Sequence, residues 1–318
     1  MAVARPLKLK AEVFRNRSLP SENTGLARVW VDSGVYHLDS EFDYAIPENL
    51  DSVIKIGVRI VVPFGNRECE AIVLSRGVLD NQAGLKQIIK VVSAIPVATT
   101  ESLRLIAEVS KRWAAHPYDV LRSAIPPRSA SVDKEALVSE KGPAPSRKLV
   151  RKYLQFPPAQ DAYRLIAEYV AARGTAGSVL VLLPDSRSIE RLREFISGAT
   201  VLDSNLDKSE RYRNYLKTMR ERELVVLGTR SSVFAPLPDL VEIILVDDGS
   251  ESYYEQRSPG WNARHVAALR SELGSISLTL MGYSPSAEVA RLIEIGWIKY
   301  QPVKASLTVK SFQASSGE

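Results

Sequence analysis

No Gly-Lys dipeptide occurs anywhere in the 318 residues. The phosphate loop G-x-x-x-x-G-K-[ST], whose backbone N–H groups, lysine and hydroxyl cradle a nucleotide's phosphates, is therefore absent. Cysteine occurs once, at Cys69, which excludes an internal disulfide and any Cys-rich zinc site. With only His37, His116 and His265 beside it, a metal cluster is not expected. No window approaches the roughly eighteen uninterrupted apolar residues of a membrane span. Met1 to Ser21 also lacks the apolar core of a signal peptide, so a cytoplasmic protein is expected. The charge excess is small: 42 Lys and Arg against 37 Asp and Glu give a formal +5. That permits a polyanionic partner without identifying one.

The chain is long enough for two domains, and its composition is that of a soluble globular protein. Residues 1–25 carry Arg5, Lys8, Lys10, Arg15 and Arg17 with little periodicity and read as a flexible basic arm. From 26 to 127 the pattern is first β, with short runs such as Ala27 to Val31, Phe42 to Ile46, Val58 to Val62, Ala71 to Leu74 and Ile88 to Val92. Strands at this spacing predict a small barrel or sandwich. Helical spacing follows over Glu101 to Trp113 and again over Tyr118 to Ala124, where Pro126-Pro127 stops it. Residues 128–151, rich in Ser, Lys, Glu and Pro, read as a linker.

From 152 to 298 strands alternate with helices, which predicts a mostly parallel α/β sheet. Its strands are Ser178 to Leu183, Thr200 to Leu202, the runs at Leu224 and Val241, and Ile276 to Met281. The first helix is placed at Ala159 to Ala172. The polar helix Ser209 to Arg222 balances five basic side chains with acids and reads as a solvated face. Residues 299–318 read as a polar tail. Two turns stand out: Gly228-Thr229-Arg230-Ser231-Ser232-Val233-Phe234-Ala235-Pro236, and the acidic pair Asp247-Asp248 at a strand end. Acidic pairs there suit Mg²⁺-nucleotide chemistry, although an ordinary βα sheet also places acids at strand tips.

The chain resembles the PriA family of replication-restart proteins over roughly residues 26 to 297. In the first domain the likeness rests on Phe42-Asp43-Tyr44 with Ile46-Pro47, on Gly57 through Gly65, on Leu85-Lys86-Gln87-Ile88, and on Pro117 through Pro126. In the second it rests on Leu202 through Arg211, on Gly228 through Pro236, and on Ala263-Arg264. The resemblance implies a multidomain protein, with a small, mostly β DNA-binding domain followed by an α/β RecA-like helicase lobe. That lobe is degenerate. The family's Walker A loop is absent, Asp247-Asp248-Gly249-Ser250 stands where D-E-x-H is expected, and Met281 through Ser286 replaces G-S-A-T-P-S. This combination resembles the actinobacterial form of the family, whose motor has lost its nucleotide chemistry. The family's winged-helix module is reduced to the 128–151 stretch, and its second motor lobe and zinc-binding cysteines do not occur within this sequence.

By resemblance, Phe42, Asp43, Tyr44, Gly65 and Lys86 line a pocket for the 3′ end of a nascent DNA strand. Their chemistry suits that task, because a ring stacks a base, an acid accepts from the terminal sugar or base, and a lysine meets phosphate. The alternative is that Phe42 and Tyr44, two apart on a strand, fill a barrel core while Asp43 faces water. Thr229 and Arg230 match the segment that holds a tracked single strand in active helicases; a capped strand-to-helix turn is the plainer reading. Asp247 and Asp248 are remnants of a metal–nucleotide site with no loop opposite to fix a triphosphate. ATP and zinc belong to the family but are not expected here, and neither is enzymatic activity. The expected function is non-catalytic recognition of the 3′ end at a stalled fork and promotion of primosome assembly. The expected partners are forked or single-stranded DNA, primosome proteins and replicative-helicase loaders, with no membrane partner and a nucleoid-associated location in the cytoplasm. The rivals are an ATP-dependent 3′–5′ helicase and a primosome interaction module without DNA-end recognition.

Overall fold

The computed structural model describes residues 23–35, 37–78, 84–135, 149–173 and 177–302. Most of the expected basic arm, the centre of the expected linker and residues 303–318 lie outside that range.

Five antiparallel strands build the first sheet: β1 (Asn23–Val31), β2 (Phe42–Pro47), β3 (Arg59–Phe64), β4 (Arg67–Gly77) and β5 (Lys90–Ser93). Their order is β2-β1-β4-β3-β5. The segment just before β5 ties the two edges together. Ala45 N donates to Lys86 O at 3.0 Å, Ile88 N returns a bond to Ala45 O at 3.1 Å, and Ile89 N donates to Val61 O at 2.9 Å. The sheet is thereby closed into the small barrel, and β2 keeps no open edge along this stretch. Period-2 alternation sends Ala27, Val29, Val31, Ile60, Val62 and Val73 inward with the buried thiol of Cys69. Trp30 and Ile72, on the opposite face, join a cluster with the helices. Gly57 turns the chain at φ +80°, where a Cβ would overlap the Ala98 carbonyl, so no other residue fits.

Two helices follow. In α1 (Thr100–Arg112) the Thr99 hydroxyl accepts from Ser102 N while Ser102 Oγ accepts from Thr99 N, a reciprocal cap. In α2 (Pro117–Ala124) proline opens the first turn and His116 Nδ1 accepts from Tyr118 N.

The second domain is a seven-stranded sheet in which every neighbouring pair is parallel. In chain order its elements are β6 (Arg151–Gln155), α3 (Ala162–Ala171), β7 (Ser178–Leu182), α4 (Ser186–Arg193), β8 (Thr200–Leu202) and α5 (Lys208–Arg220). Then come β9 (Val225–Gly228), β10 (Leu240–Val246), α6 (Ala263–Gly274), β11 (Ser277–Gly282), α7 (Ala287–Glu294) and β12 (Lys299–Gln301). The order is β12-β6-β11-β10-β7-β9-β8. β7, β10 and β11 are buried on both faces, as their predominantly apolar runs require; the buried Glu242 of β10 is met by Thr279 and Arg173.

The structure corrects three boundaries. β6 begins at Arg151, inside the stretch read as linker. Lys299–Gln301, read as tail, adds to β6 as an edge strand; its side chains are all exposed, and besides the backbone ladder Tyr300 holds it, donating to Gln155 Oε1 at 2.6 Å and stacking on Tyr153 at 6.0 Å. Residues 128–135 are not free chain. Ser129 Oγ lies 3.0 Å from Ser209 Oγ, Tyr212 OH donates to Asp133 at 3.1 Å, and Arg213 donates twice to Glu135 at 2.7 and 2.6 Å. α5 is accordingly no solvated helix. It buries Tyr212, Tyr215, Leu216 and Thr218, and Tyr215 OH reaches across to Val97 O at 2.8 Å. One hydrophobic cluster runs from Trp30 and Leu103 in the first domain to Leu182 and Phe234 in the second, so the two pack as one body.

Candidate nucleic-acid interface

β2 alternates across the barrel wall, so Phe42 and Tyr44 share the inner face and Asp43 the outer. The Phe42 ring meets Phe64 edge-on at 5.1 Å and 82°, near the end of the barrel where β3 turns into β4. Tyr44 is 4% exposed and its hydroxyl donates to Pro63 O at 3.1 Å. Burial, with a smaller contribution from Cys69, pushes that phenol up to about 12. Tyr44 is thus part of the core and cannot stack a base without leaving it. Gly65 takes φ +57° in the adjoining turn and has open space where a side chain would stand. A strand end can approach the backbone there. Lys86 is exposed, and its backbone is pinned beside Ala45 of β2.

Phe42, Tyr44 and Gly65 therefore gather around the Pro63-Phe64 strand end, with Lys86 fixed alongside β2. Asp43 lies on the other side of the wall and already has a partner. Arg28 Nε donates to Oδ1 at 2.9 Å and a terminal Arg28 nitrogen to Oδ2 at 3.2 Å; Glu41 stands 3.7 Å from the same guanidinium. Sequence reasoning missed Arg28 because its only signal is the antiparallel register that sets it opposite Asp43. Phe64, though within the quoted Gly57–Gly65 stretch, was not singled out as the partner of Phe42.

In the second domain Thr229 precedes the 3₁₀ turn Arg230–Phe234 without a side-chain capping bond. Arg230 points inward. It donates to Tyr254 O at 2.5 Å and Ser252 O at 3.3 Å and pairs with Glu255 at 3.2 Å, fastening the loop after β10. Its charge is spent within the fold, so of the two expected strand contacts only the Thr229 hydroxyl has no partner among the described residues.

Asp247 is exposed at φ +56°. Asp248 is 1% exposed and is turned into the contact between α6 and α7. Its Oδ2 accepts from Ser286 N at 3.2 Å, and Arg264 donates to its backbone carbonyl at 2.9 Å while pairing with Glu288 at 2.8 Å. Burial pushes the Asp248 carboxyl up, against the pull of Ser286 and Arg264. A nucleotide is the ligand this fold class suggests, and the residues do not fit one. Phosphate seats at the carboxyl edge of a parallel sheet use free N–H groups at helix N-termini. In the β6–α3 turn Pro157 and Pro158 have no N–H, Ala159 takes φ +64°, and the Asp161 carboxylate caps α3 by accepting from Tyr163 N at 2.9 Å. Asp185 caps α4 in the same way, from Ser188 N at 2.8 Å. Each carboxylate occupies the place an anion would take and repels it.

Residues 28–126 match the family model for the PriA 3′DNA-binding domain (3′BD). Among curated proteins, the probable replication restart protein PriA of Mycobacterium tuberculosis is 33% identical over 298 residues, covering 83% of this chain and 45% of that protein. Its counterpart in Mycobacterium leprae is 31% identical over 296 residues, 83% of this chain and 46% of that one. The replication restart protein PriA of Rickettsia conorii is 26% identical over 289 residues, 82% of this chain and 43% of that one. The chain spans less than half the length of these relatives. Among solved structures, the C-terminal domain of the DEAD-box protein Dbp5 aligns with 49% of this chain and 90% of its own at a TM-score of 0.32 and 14% identity.

Proposed function

The chain belongs to the PriA family of replication restart proteins, with that family's 3′ DNA-binding domain over residues 28–126, and on that premise we propose that it binds the 3′ end of nascent DNA at stalled forks without hydrolysing nucleotide. In this reading it marks the abandoned fork and promotes primosome assembly there. The observation that carries it is the match over 28–126 together with the strand end inside it, where Phe42 and Phe64 pair beside the open Gly65 turn. A terminal base stacks on the exposed part of that ring pair, the sugar approaches the Gly65 backbone, and Lys86 meets a phosphate.

The lack of turnover is supported by chemistry at the sheet's carboxyl edge. Two prolines and an acidic cap stand where phosphate would need donors, and Asp248 is buried against Ser286 instead of poising water. One observation favours the interaction-module alternative: Tyr44 is committed to the core and offers no free face to a base. Equilibrium binding to forks ending in 3′-hydroxyl and in 3′-phosphate decides between them. A clear preference for the hydroxyl supports end recognition, and equal affinity favours the module.

A further inference from the structure

Helix α5 packs its tyrosines into the seam between the domains, and Arg211 on the same helix stands at a notch of about 20 Å³. Three segments form the walls: Pro126 from the end of the first domain, Leu202 at the end of β8, and Ser231 and Ser232 of the 3₁₀ turn. Most polar groups around it are engaged. Tyr215 OH donates to Val97 O at 2.8 Å, Ser232 Oγ to Leu202 O at 2.9 Å, and Arg59 to the Pro126 carbonyl at 3.0 Å. Arg211 and Ser231 are different: neither side chain has a hydrogen bond or an ion pair with any described residue.

Arg211 is half-buried, and burial lowers its pKa, with Asp203 the acid that opposes the shift. Asp203 itself is turned to its own loop, accepting from Asn205 N and Ser204 Oγ. A guanidinium keeps its charge at any physiological pH, so this cation is held partly out of water with no protein acceptor among the described residues. It invites an anion, and Ser231, which lines the same notch, brings a hydroxyl as a second donor. The notch has room for one phosphoryl oxygen and not for a base, so what it recognises is backbone.

We propose that Arg211 and Ser231 form a phosphodiester-binding site at the domain seam, gripping one backbone phosphate of the bound fork. The site exists only while the domains are docked, because Pro126 supplies a wall. It rests on the DNA-binding reading above and adds to it a contact outside the end-binding barrel.

The test compares wild type, Arg211→Gln, Arg211→Lys and Arg193→Gln, the last removing an exposed charge on α4. Fork affinity is measured as a function of salt, and Tm in buffer with and without inorganic phosphate. Arg211→Gln is expected to weaken binding about tenfold and to lower the slope of log affinity against log salt by about one unit. Its Tm should equal or exceed that of wild type, since an uncompensated cation is removed. Arg211→Lys should keep the wild-type slope, and Arg193→Gln should leave both slope and affinity unchanged. A wild-type slope in Arg211→Gln overturns the inference and leaves end recognition standing, whereas a wild-type protein that binds no fork sinks both. A lower Tm in Arg211→Gln, or an equal slope loss in Arg193→Gln, also overturns it. So does a Tm rise with inorganic phosphate that Arg211→Gln abolishes without any change in DNA slope, because the ligand is then free phosphate.

Discussion

Arg28 and Asp43 face each other across the β1–β2 ladder and share two hydrogen bonds on the outer wall of the barrel. The pair fixes the direction of the carboxylate. It leaves Asp43 with lone pairs to offer a terminal hydroxyl, and it couples Arg28 to whatever Asp43 does.

Asp43→Ala should therefore cost ~1–3 kcal/mol of preference for a free 3′-hydroxyl over a 3′-phosphate end, the penalty for a polar partner losing its mate. Arg28→Ala should erode the same preference, because the acid then turns freely. Both variants should melt with wild type, since exposed ion pairs add little to stability. Competition binding with the two fork ends reads the preference. An unchanged ratio in Asp43→Ala would remove the acid from the site.

Neither ATP nor GTP should raise Tm or be hydrolysed, with or without fork DNA. The reason is local: prolines at 157 and 158 and the Asp161 cap present no anion seat. Turnover stimulated by DNA and abolished by Asp247→Asn would show that the remnant acids still work.

Asp248→Asn should stabilise the protein at neutral pH. Burial raises this carboxyl above its ordinary 3.8, so the fold favours the neutral form. The linked stability is complete below that ordinary value and is lost as pH rises through the raised one. Asparagine keeps an acceptor for Ser286 N and is never charged. Urea midpoints from pH 4 to 8 should show a gain for Asp248→Asn that grows with pH. A gain that is flat across the series would mean the carboxyl is not the cause.

Tyr215→Phe should cost about 1–2 kcal/mol, because it strands the buried Val97 carbonyl that the hydroxyl now satisfies. Both domains should still unfold in one transition, since a single apolar cluster runs through them. Two separable transitions in calorimetry would contradict that packing.

Elements that decide their own burial were legible in the sequence. β7, β10 and β11 are mostly apolar, with Ser178, Glu242, Ser277 and Thr279 the exceptions, and α1 carries its apolar residues on one face; both patterns are local and both elements form where they were expected. β6 and β12 were not legible. Arg151–Gln155 offers only Tyr153 to full burial, and Lys299–Gln301 offers nothing, so their pairing is dictated by β11 and β6 rather than by their own side chains. α5 misled for a related reason: its buried face is built of two tyrosines and a threonine with a single leucine, Leu216, so its apolar signal is weak. In β2, alternation alone told that Phe42 and Tyr44 oppose Asp43. The ion pair of Asp43 with Arg28 and the inward turn of Arg230 depend on register and on a loop more than twenty residues away.

The solitary thiol of Cys69 sits on β4 inside the barrel, 7% exposed and next to Val62 in the ladder. A thiol reagent can reach it only when the wall parts, and no second thiol competes for the label. Its labelling rate is therefore a one-site clock for barrel breathing. A ligand that bridges β2 and the β3–β4 turn must slow that clock, whereas one that docks elsewhere must leave it running at the same pace.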